Sequence, residues 1–319
     1  MEPVLGHDSA LEYWRSVRGG GRSFYQVTHA KKLLSIPPRE DDLPEQGPWW
    51  LSRPLHLIVG NDRVRRTSKE VVSHVWSSSL PKGSVLDTRN GFYVCSPELT
   101  FLQAAERLSL VDLISLGFEW CGTYDASHGE LCSCAPLTTV AKLESFLSGA
   151  CNMRGRKRAQ HALRFVLDGS ASPRETVLVI LLCLPYKMGG FKLAPPILNQ
   201  RIEVGSHARK VATKQHYRCD LYWPEARLAL EYDSDAEHLG SRKASDDSSR
   251  RNALDALGIN VITVTTRQIA SCEDMRKIAI NVARHLGKRL QFQEPSFSLA
   301  NLRLRTELLG NKKSETASI

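Results

Sequence analysis

The residues of this chain best spaced to do chemistry lie between Arg218 and His238, in the run RCDLYWPEARLALEYDSDAEH. A period of two through this run predicts a β-hairpin. Pro224-Glu225-Ala226-Arg227 supplies its turn, with the proline ring presetting the backbone angle that turns need. Folding there sets Leu221 opposite Leu230, Asp220 opposite Glu231, and Arg218 opposite Asp233. One face then carries Cys219, Leu221, Trp223, Leu228, Leu230 and Tyr232 toward a core. The other carries Arg218, Asp220, Tyr222, Ala229, Glu231 and Asp233. Carboxylates directly opposed on a strand pair sit roughly 5 Å apart and repel. A hard divalent cation, Mg²⁺ or Mn²⁺, held by oxygens of Asp220 and Glu231 relieves that repulsion most simply. The competing reading makes the same residues a solvated face of an edge hairpin, neutralised by Arg218.

An Asp, ten intervening residues, then Glu-x-Asp closing an apolar strand resembles the PD-(D/E)xK nuclease superfamily. More closely it resembles the bacterial very-short-patch-repair-endonuclease-like domain. Further elements of that pattern are Ser172-Pro173-Arg174-Glu175 opening an upstream helix, His238, and Asp246 or Asp247 with Arg250 or Arg251. Leu257-Gly258 and the strand Asn260 to Thr265 complete it, so the resemblance spans about residues 170–286. It implies a restriction-endonuclease-like mixed sheet and Mg²⁺-dependent hydrolysis of DNA phosphodiesters. It also implies that Asp220 and Glu231 bind the metal, with Glu175 pointing at the same site and reaching metal through water. The catalytic set it suggests is Glu175, Asp220, Glu231, Asp233 and His238. His238 would serve as general base, as proton donor to the leaving oxygen, or as a phosphate contact. One of Arg250 and Arg251 faces the site, a helical turn beyond Asp246 and Asp247.

Two departures from the pattern matter. The usual Glu-x-Asp-Gly reads Glu231-Tyr232-Asp233-Ser234, and Asp233 stands where the superfamily has its lysine. Asp233 then acts as an organiser, pairing with Arg218 or orienting His238. The missing cation comes from the segment Arg242 to Arg251 or from His238. The N-terminal half faintly resembles the antitoxin-like region that precedes such domains. A non-catalytic DNA-binding or antitoxin-like regulator that keeps the nuclease fold is therefore the alternative function.

Positioning these groups needs a sheet and helices, and the patterning supplies them. Ser172 caps a helix running through about Leu184, with Glu175 at its third position. A strand near Ile202 to Val204 precedes the hairpin. A helix from Asp246 to Leu257 stops at Gly258. Asn260 to Thr265 reads as a buried strand and Met275 to Leu286 as an amphipathic helix. The order α, β, β, β, α, β, α predicts a mixed α/β sheet flanked by helices.

Upstream, strands at Leu55 to Gly60, Val71 to Trp76 and Gly91 to Cys95, with helices from Ser96, Leu110 and Val140, predict a smaller α+β domain. The expected division is 1–150, 151–293 and a polar tail, 294–319. The link CNMRGRKR offers Arg156, Lys157 and Arg158 to DNA phosphates, together with Arg250 and Arg251.

The chain has 319 residues, a formal net charge of +9 and a pI near 9.2. That surplus suits a polyanionic partner, DNA, although it bears on association and not on fold. Met1 to Gly20 lacks the apolar core of a secretory leader, and the longest aliphatic run, Val177 to Leu184, is far short of a membrane span. Neither a leader nor a membrane span is therefore expected. No small-molecule cofactor is expected. The eight cysteines follow no disulfide framework, which suits a reducing cytoplasm. Cys121, Cys132, Cys134 and Cys151, with His128 among them, are spaced C-x10-C-x-C-x16-C. That matches no standard zinc finger, so they read as ordinary thiols.

Overall fold

A computed structural model describes residues 2–18, 20, 24–27, 30–35, 50–127, 129–204, 214–233 and 241–310, side chains of 31 and 241–248 excepted. His238 and His128 lie outside the described residues. The chain divides into two compact units, Met1–Asp168 and Gly169–Ile319.

In the first unit the described residues form β1 (Val4–Leu5), α1 (His7–Ser16), β2 (Tyr25–Gln26), α2 (Ala30–Leu33), β3 (Leu55–Val59), β4 (Val71–Val75), β5 (Val85–Asp87) and β6 (Tyr93–Cys95). The six strands make one mixed sheet ordered β2-β5-β6-β1-β3-β4. β1 is only two residues long, yet it is central, with Leu5 paired to Leu57 on one side and Val94 on the other. α1 turns Ala10, Tyr13 and Trp14 inward at helical spacing. The Trp14 indole donates to the Cys95 carbonyl at 2.9 Å and ties the helix to β6.

The unit continues with α3 (Pro97–Ala104), α4 (Leu110–Cys121), β7 (Tyr124–Asp125), β8 (Cys132–Ser133), α5 (Val140–Gly149) and α6 (Arg156–Leu163). Ser96 caps α3 ahead of a proline at its first turn, as its sequence requires. α6 begins after Gly155, whose φ of 76° brings its Cα against the chain: a Cβ there would stand 2.9 Å from the Leu102 carbonyl oxygen. The basic link is thus the start of a packed helix of the first unit. Arg156 donates to the Leu147 carbonyl at 2.7 Å, and Arg158 donates to the Leu108 carbonyl. The step between units accordingly falls at Asp168–Gly169 instead of after residue 150, and the first unit is the longer of the two.

A histidine cluster joins three elements of this unit. His56 on β3 and His74 on β4 have ring planes 16° apart, with Nδ1 and Nε2 2.8 Å apart. The His7 ring packs on His74 with centroids 3.9 Å apart. Burial first, and the neighbouring imidazoles with Arg107 after it, press His7 down to about 3 and His74 to about 4, against Asp8 pulling the other way. His56 is lowered as well, again by burial first. Asp8 itself is paired with Arg107.

The second unit runs α7 (Pro173–Cys183), β9 (Ile197–Glu203), β10 (His216–Trp223), β11 (Leu228–Asp233), α8 (Ser241–Ala256), β12 (Asn260–Thr265), α9 (Thr266–Ala270), α10 (Cys272–His285) and α11 (Ser296–Gly310). Its sheet is ordered β12-β11-β10-β9, antiparallel except for the β11–β12 pair. Joining parallel neighbours demands a crossover, and α8 is that crossover. Ala253 and Leu254 of α8 are buried with Ala229, Cys219 and Tyr217, and Tyr222 and Val261 pack against the same cluster. The fold is mixed α/β, with a helix-flanked sheet in the C-terminal half.

Residues beyond 293 do not form a loose polar tail up to Gly310. α11 buries Phe297 and Leu304, and Phe297 stacks on Phe292 with centroids 4.1 Å apart. Asn301 donates to the Gly189 carbonyl at 2.7 Å and Arg305 to the Ile269 carbonyl at 2.5 Å. Gly189 has φ 90°, and a Cβ there would lie 2.4 Å from the Ala300 carbonyl oxygen. Among the described residues no helix is long and apolar enough to cross a membrane.

Two outcomes are expected. A chain ending at residue 293 should lose the burial of Phe297 and Leu304, worth about 1.5–3 kcal/mol each, and should unfold at markedly lower urea than the full chain. Acid should weaken the first unit. Its folded imidazoles titrate below the ordinary 6.5, so their contribution is intact above pH 6.5 and is lost as pH falls toward 4 and 3. A melting temperature that declines from pH 7 to pH 4.5, with a flatter decline in His74→Gln, is the expected result in thermal scans.

Candidate active site

The hairpin forms in the expected register: Leu221 pairs with Leu230, Tyr222 with Ala229 and Trp223 with Leu228. The β10–β11 ladder holds those three pairs. Continuing the register would set Asp220 against Glu231. There the Asp220 side chain intrudes, accepting the Tyr232 backbone N–H at 2.8 Å. On the other side of β10 the ladder passes from Cys219↔Gln200 to Leu221↔Leu198, skipping Asp220 and Asn199, and Asn199 has φ 50°. The strict alternation expected from the sequence breaks at this point. Cys219, expected on the face of Leu221, packs instead with Ala229 and Tyr222.

The irregularity gathers three carboxylates in the second unit. Glu175 lies in the first turn of α7, where its backbone N–H bonds the Ser172 hydroxyl at 3.1 Å. Its carboxylate accepts from Ser172 Oγ at 3.1 Å, from the Ala171 N–H at 2.9 Å and from Asn199 Nδ2 at 2.6 Å. Burial raises it to about 6 in spite of those donors, and the charge of Asp220 pushes the same way. Asp220 is raised by burial too, opposed by the Tyr232 N–H and by Arg250 and Arg218. Glu231 goes furthest, to about 7, through burial and then the charge of Asp220. Burial and like charge both disfavour the ionised form.

Arg250 on α8 answers this charge. Its Nη2 donates to Glu231 Oε2 at 2.5 Å and also to the Arg218 carbonyl. Arg251 is exposed and Arg250 half-buried, which decides between the two. One oxygen is left over. Among the described residues, Glu231 Oε1 is buried with no hydrogen-bond partner, and Arg250 Nε is likewise unpartnered. The Cys219 thiol acts on the same carboxylate and lowers it, but a thiol is a weak donor for a carboxylate oxygen.

Asp233 closes β11 beside Thr265. Arg218, its expected cross-strand partner, sends its Nε to the Asn199 carbonyl at 3.3 Å and its charge to Asp220. Arg156, Lys157 and Arg158 belong to the first unit, with Lys157 and Arg158 exposed. Asn199 and Cys219 are the participants that sequence reasoning missed. A polar residue inside a strand, flanked by Leu198 and Gln200, was the available signal for Asn199.

Among the described residues no group of three His, Cys, Asp or Glu side chains is arranged to hold a metal. The oxygens of Glu175 are taken by protein donors. Asp220 and Glu231 nevertheless fit a Mg²⁺-type ion, which ordinarily takes one or two carboxylates and fills its remaining positions with water and substrate phosphate. The unpartnered Glu231 Oε1 is the atom such an ion would complete.

The coupling among these groups can be measured directly. Asp220→Asn keeps an oxygen for the Tyr232 N–H while removing the charge. The Glu231 carboxyl should then titrate below its value of about 7, moving toward the ordinary 4.5, in carboxyl ¹³C NMR. An unmoved Glu231 would mean that burial alone sets its value.

No family model and no solved structure matches this chain. It is similar to two uncharacterized proteins of Mycobacterium tuberculosis, MT2308 of strain CDC 1551 / Oshkosh and Rv2248 of strain ATCC 25618 / H37Rv. Each is 31% identical over 72 residues, covering 23% of this chain and 26% of the relative, so the chain spans about a quarter of the relatives it matches.

Proposed function

We propose that the second unit is a Mg²⁺- or Mn²⁺-dependent DNA endonuclease domain of the very-short-patch-repair-like type, acting in the cytoplasm. The observation that carries the reading is the burial of Glu175 with Asp220 and Glu231 half-buried beside it, around a carboxylate oxygen that has no partner among the described residues. Like charges gathered out of water are costly to keep. Carboxylates whose proton affinities are pushed up together mark functional sites more often than scaffolding. The residue pattern around Asp220 and Glu231 and the +9 charge supply the nuclease and DNA parts of the proposal.

Asp220 and Glu231 would hold the cation. Once bound, it would lower the pKa of a water and neutralise charge on the scissile phosphate. Glu175, at about 6, is suited to take a proton from water near neutral pH. Arg250 stands in for the absent lysine. Its unpartnered Nε can meet a phosphate oxygen while Nη2 stays on Glu231. Lys157 and Arg158, in the first unit, suit phosphate contacts of the sequence-independent kind.

The rival, a non-catalytic DNA-binding or antitoxin-like regulator, draws on the same Arg250. Its ion pair with Glu231 already supplies positive charge where a metal would, and Asp233 occupies the lysine position.

Thermal scans and plasmid nicking separate the two. Millimolar Mn²⁺ or Mg²⁺ should raise the melting temperature of the wild type by mass action, and Asp220→Asn should lose most of that rise. Glu231→Gln should abolish metal-dependent nicking and leave DNA binding within a few-fold. A wild type that binds DNA, gains no stability from either metal and never nicks would establish the regulator.

A further inference from the structure

The first unit contains a cavity of about 780 Å³ that the endonuclease reading does not use. Pockets of this size are typical of small-molecule sites. Its walls carry Trp14, Phe24 and Phe146, and also the cations Arg18, Lys82 and Lys142. Glu98 is the one carboxylate among the described lining residues, and it already accepts the Thr138 hydroxyl at 2.6 Å.

Arg18 is the unusual member. It is only 6% exposed. Its Nε donates to Cys134 Sγ at 3.2 Å and its Nη2 to the Gly122 carbonyl at 3.0 Å, while its guanidinium lies over the Tyr124 ring at 5.6 Å. No carboxylate of the described residues lies within ion-pairing distance of it, and its Nη1 is buried with no partner among them. A buried guanidinium normally has a counter-anion, because an uncompensated charge out of water is costly. Here the neutral partners hold the group in place and leave one donor over. Lys82 and Lys142, both exposed, add positive charge to the same cavity. Three cations beside aromatic walls describe a receptor for one kind of ligand.

We infer that this cavity binds a small organic anion with an aromatic ring, its carboxylate or phosphate meeting Arg18 and its ring resting among Trp14, Phe24 and Phe146. Anion and ring are both needed, so neither inorganic phosphate nor a neutral nucleoside should substitute. The inference concerns the first unit alone and does not depend on the endonuclease reading.

Isothermal titration of the full chain tests it, with adenosine monophosphate and salicylate as probes and inorganic phosphate and adenosine as controls. One of the two aromatic anions should bind with one site per chain. Each control should bind at least roughly tenfold more weakly, and Arg18→Met should weaken the anion by roughly tenfold or more, as loss of a charge-assisted hydrogen bond does. Should Arg18→Met fail to fold, the double variant Lys82→Ala with Lys142→Ala removes exposed charge only and should weaken the same probe several-fold. Absence of saturable binding by both anions overturns the inference. So does phosphate binding as tightly as the aromatic anions, or affinity unchanged in a folded variant.

Discussion

Carboxylates held close together out of water set the terms for the second unit. Glu175, Asp220 and Glu231 come from a helix and two strands, and each is raised toward the neutral form by burial. The protein offsets this with donors placed one at a time. The α7 cap and Asn199 serve Glu175, the Tyr232 N–H serves Asp220, and Arg250 serves Glu231. Several local irregularities follow from that arrangement. Asn199 adopts a left-handed backbone, and the ladder skips Asp220. α8 must also present Arg250 inward while Ala253 and Leu254 hold the sheet. Breaking such a buried pair by removing one partner ordinarily costs about 3–5 kcal/mol, more than keeping it gains.

Much of this arrangement was legible because hairpins and caps are local. The alternation from Leu221 to Leu230 fixes a register, since a slip by one residue would turn every apolar side chain over. Ser172 and Glu175 announce a helix start through a hydrogen-bond pattern that spans only a few residues. The choice between Arg250 and Arg251 was not legible. The stretch SRKASDDSSRR has no apolar stripe, so nothing before Ala253 sets the phase of the helix. The break at Asp220 was hidden for a related reason. Alternation assumes that side chains do not replace backbone partners, and Asp220 does that.

In the first unit the limits were of length and distance. β1 is two residues, too short for any period to register, yet it lies between β6 and β3. α6 was obscured by its basic start, which reads as a link until its arginines are seen on the carbonyls of Leu147 and Leu108. α11 reads as a polar tail because its buried residues, Phe297, Asn301, Leu304 and Arg305, include two polar ones whose partners lie far off in sequence. His7, His56 and His74 meet only through the sheet, so no spacing could have shown them. Both units thus hide their less regular features where long-range pairing overrides local pattern.

The Asp220 hydrogen bond to the Tyr232 N–H also bears on how variation at this site would be tolerated. One side chain serves as a charged group and as a surrogate for missing ladder backbone. Under the proposed endonuclease function, selection for the reaction and selection for the fold would act on the same atoms. Asn satisfies the second demand alone, whereas Ala satisfies neither and leaves a backbone donor stranded beside a carboxylate. Glu231 carries no comparable backbone duty, since its own strand stays paired to β12 through Thr263. A lineage that abandoned chemistry while keeping the fold would be expected to drift freely at Glu231 and Arg250 together, and to hold Asp or Asn at 220 long afterwards.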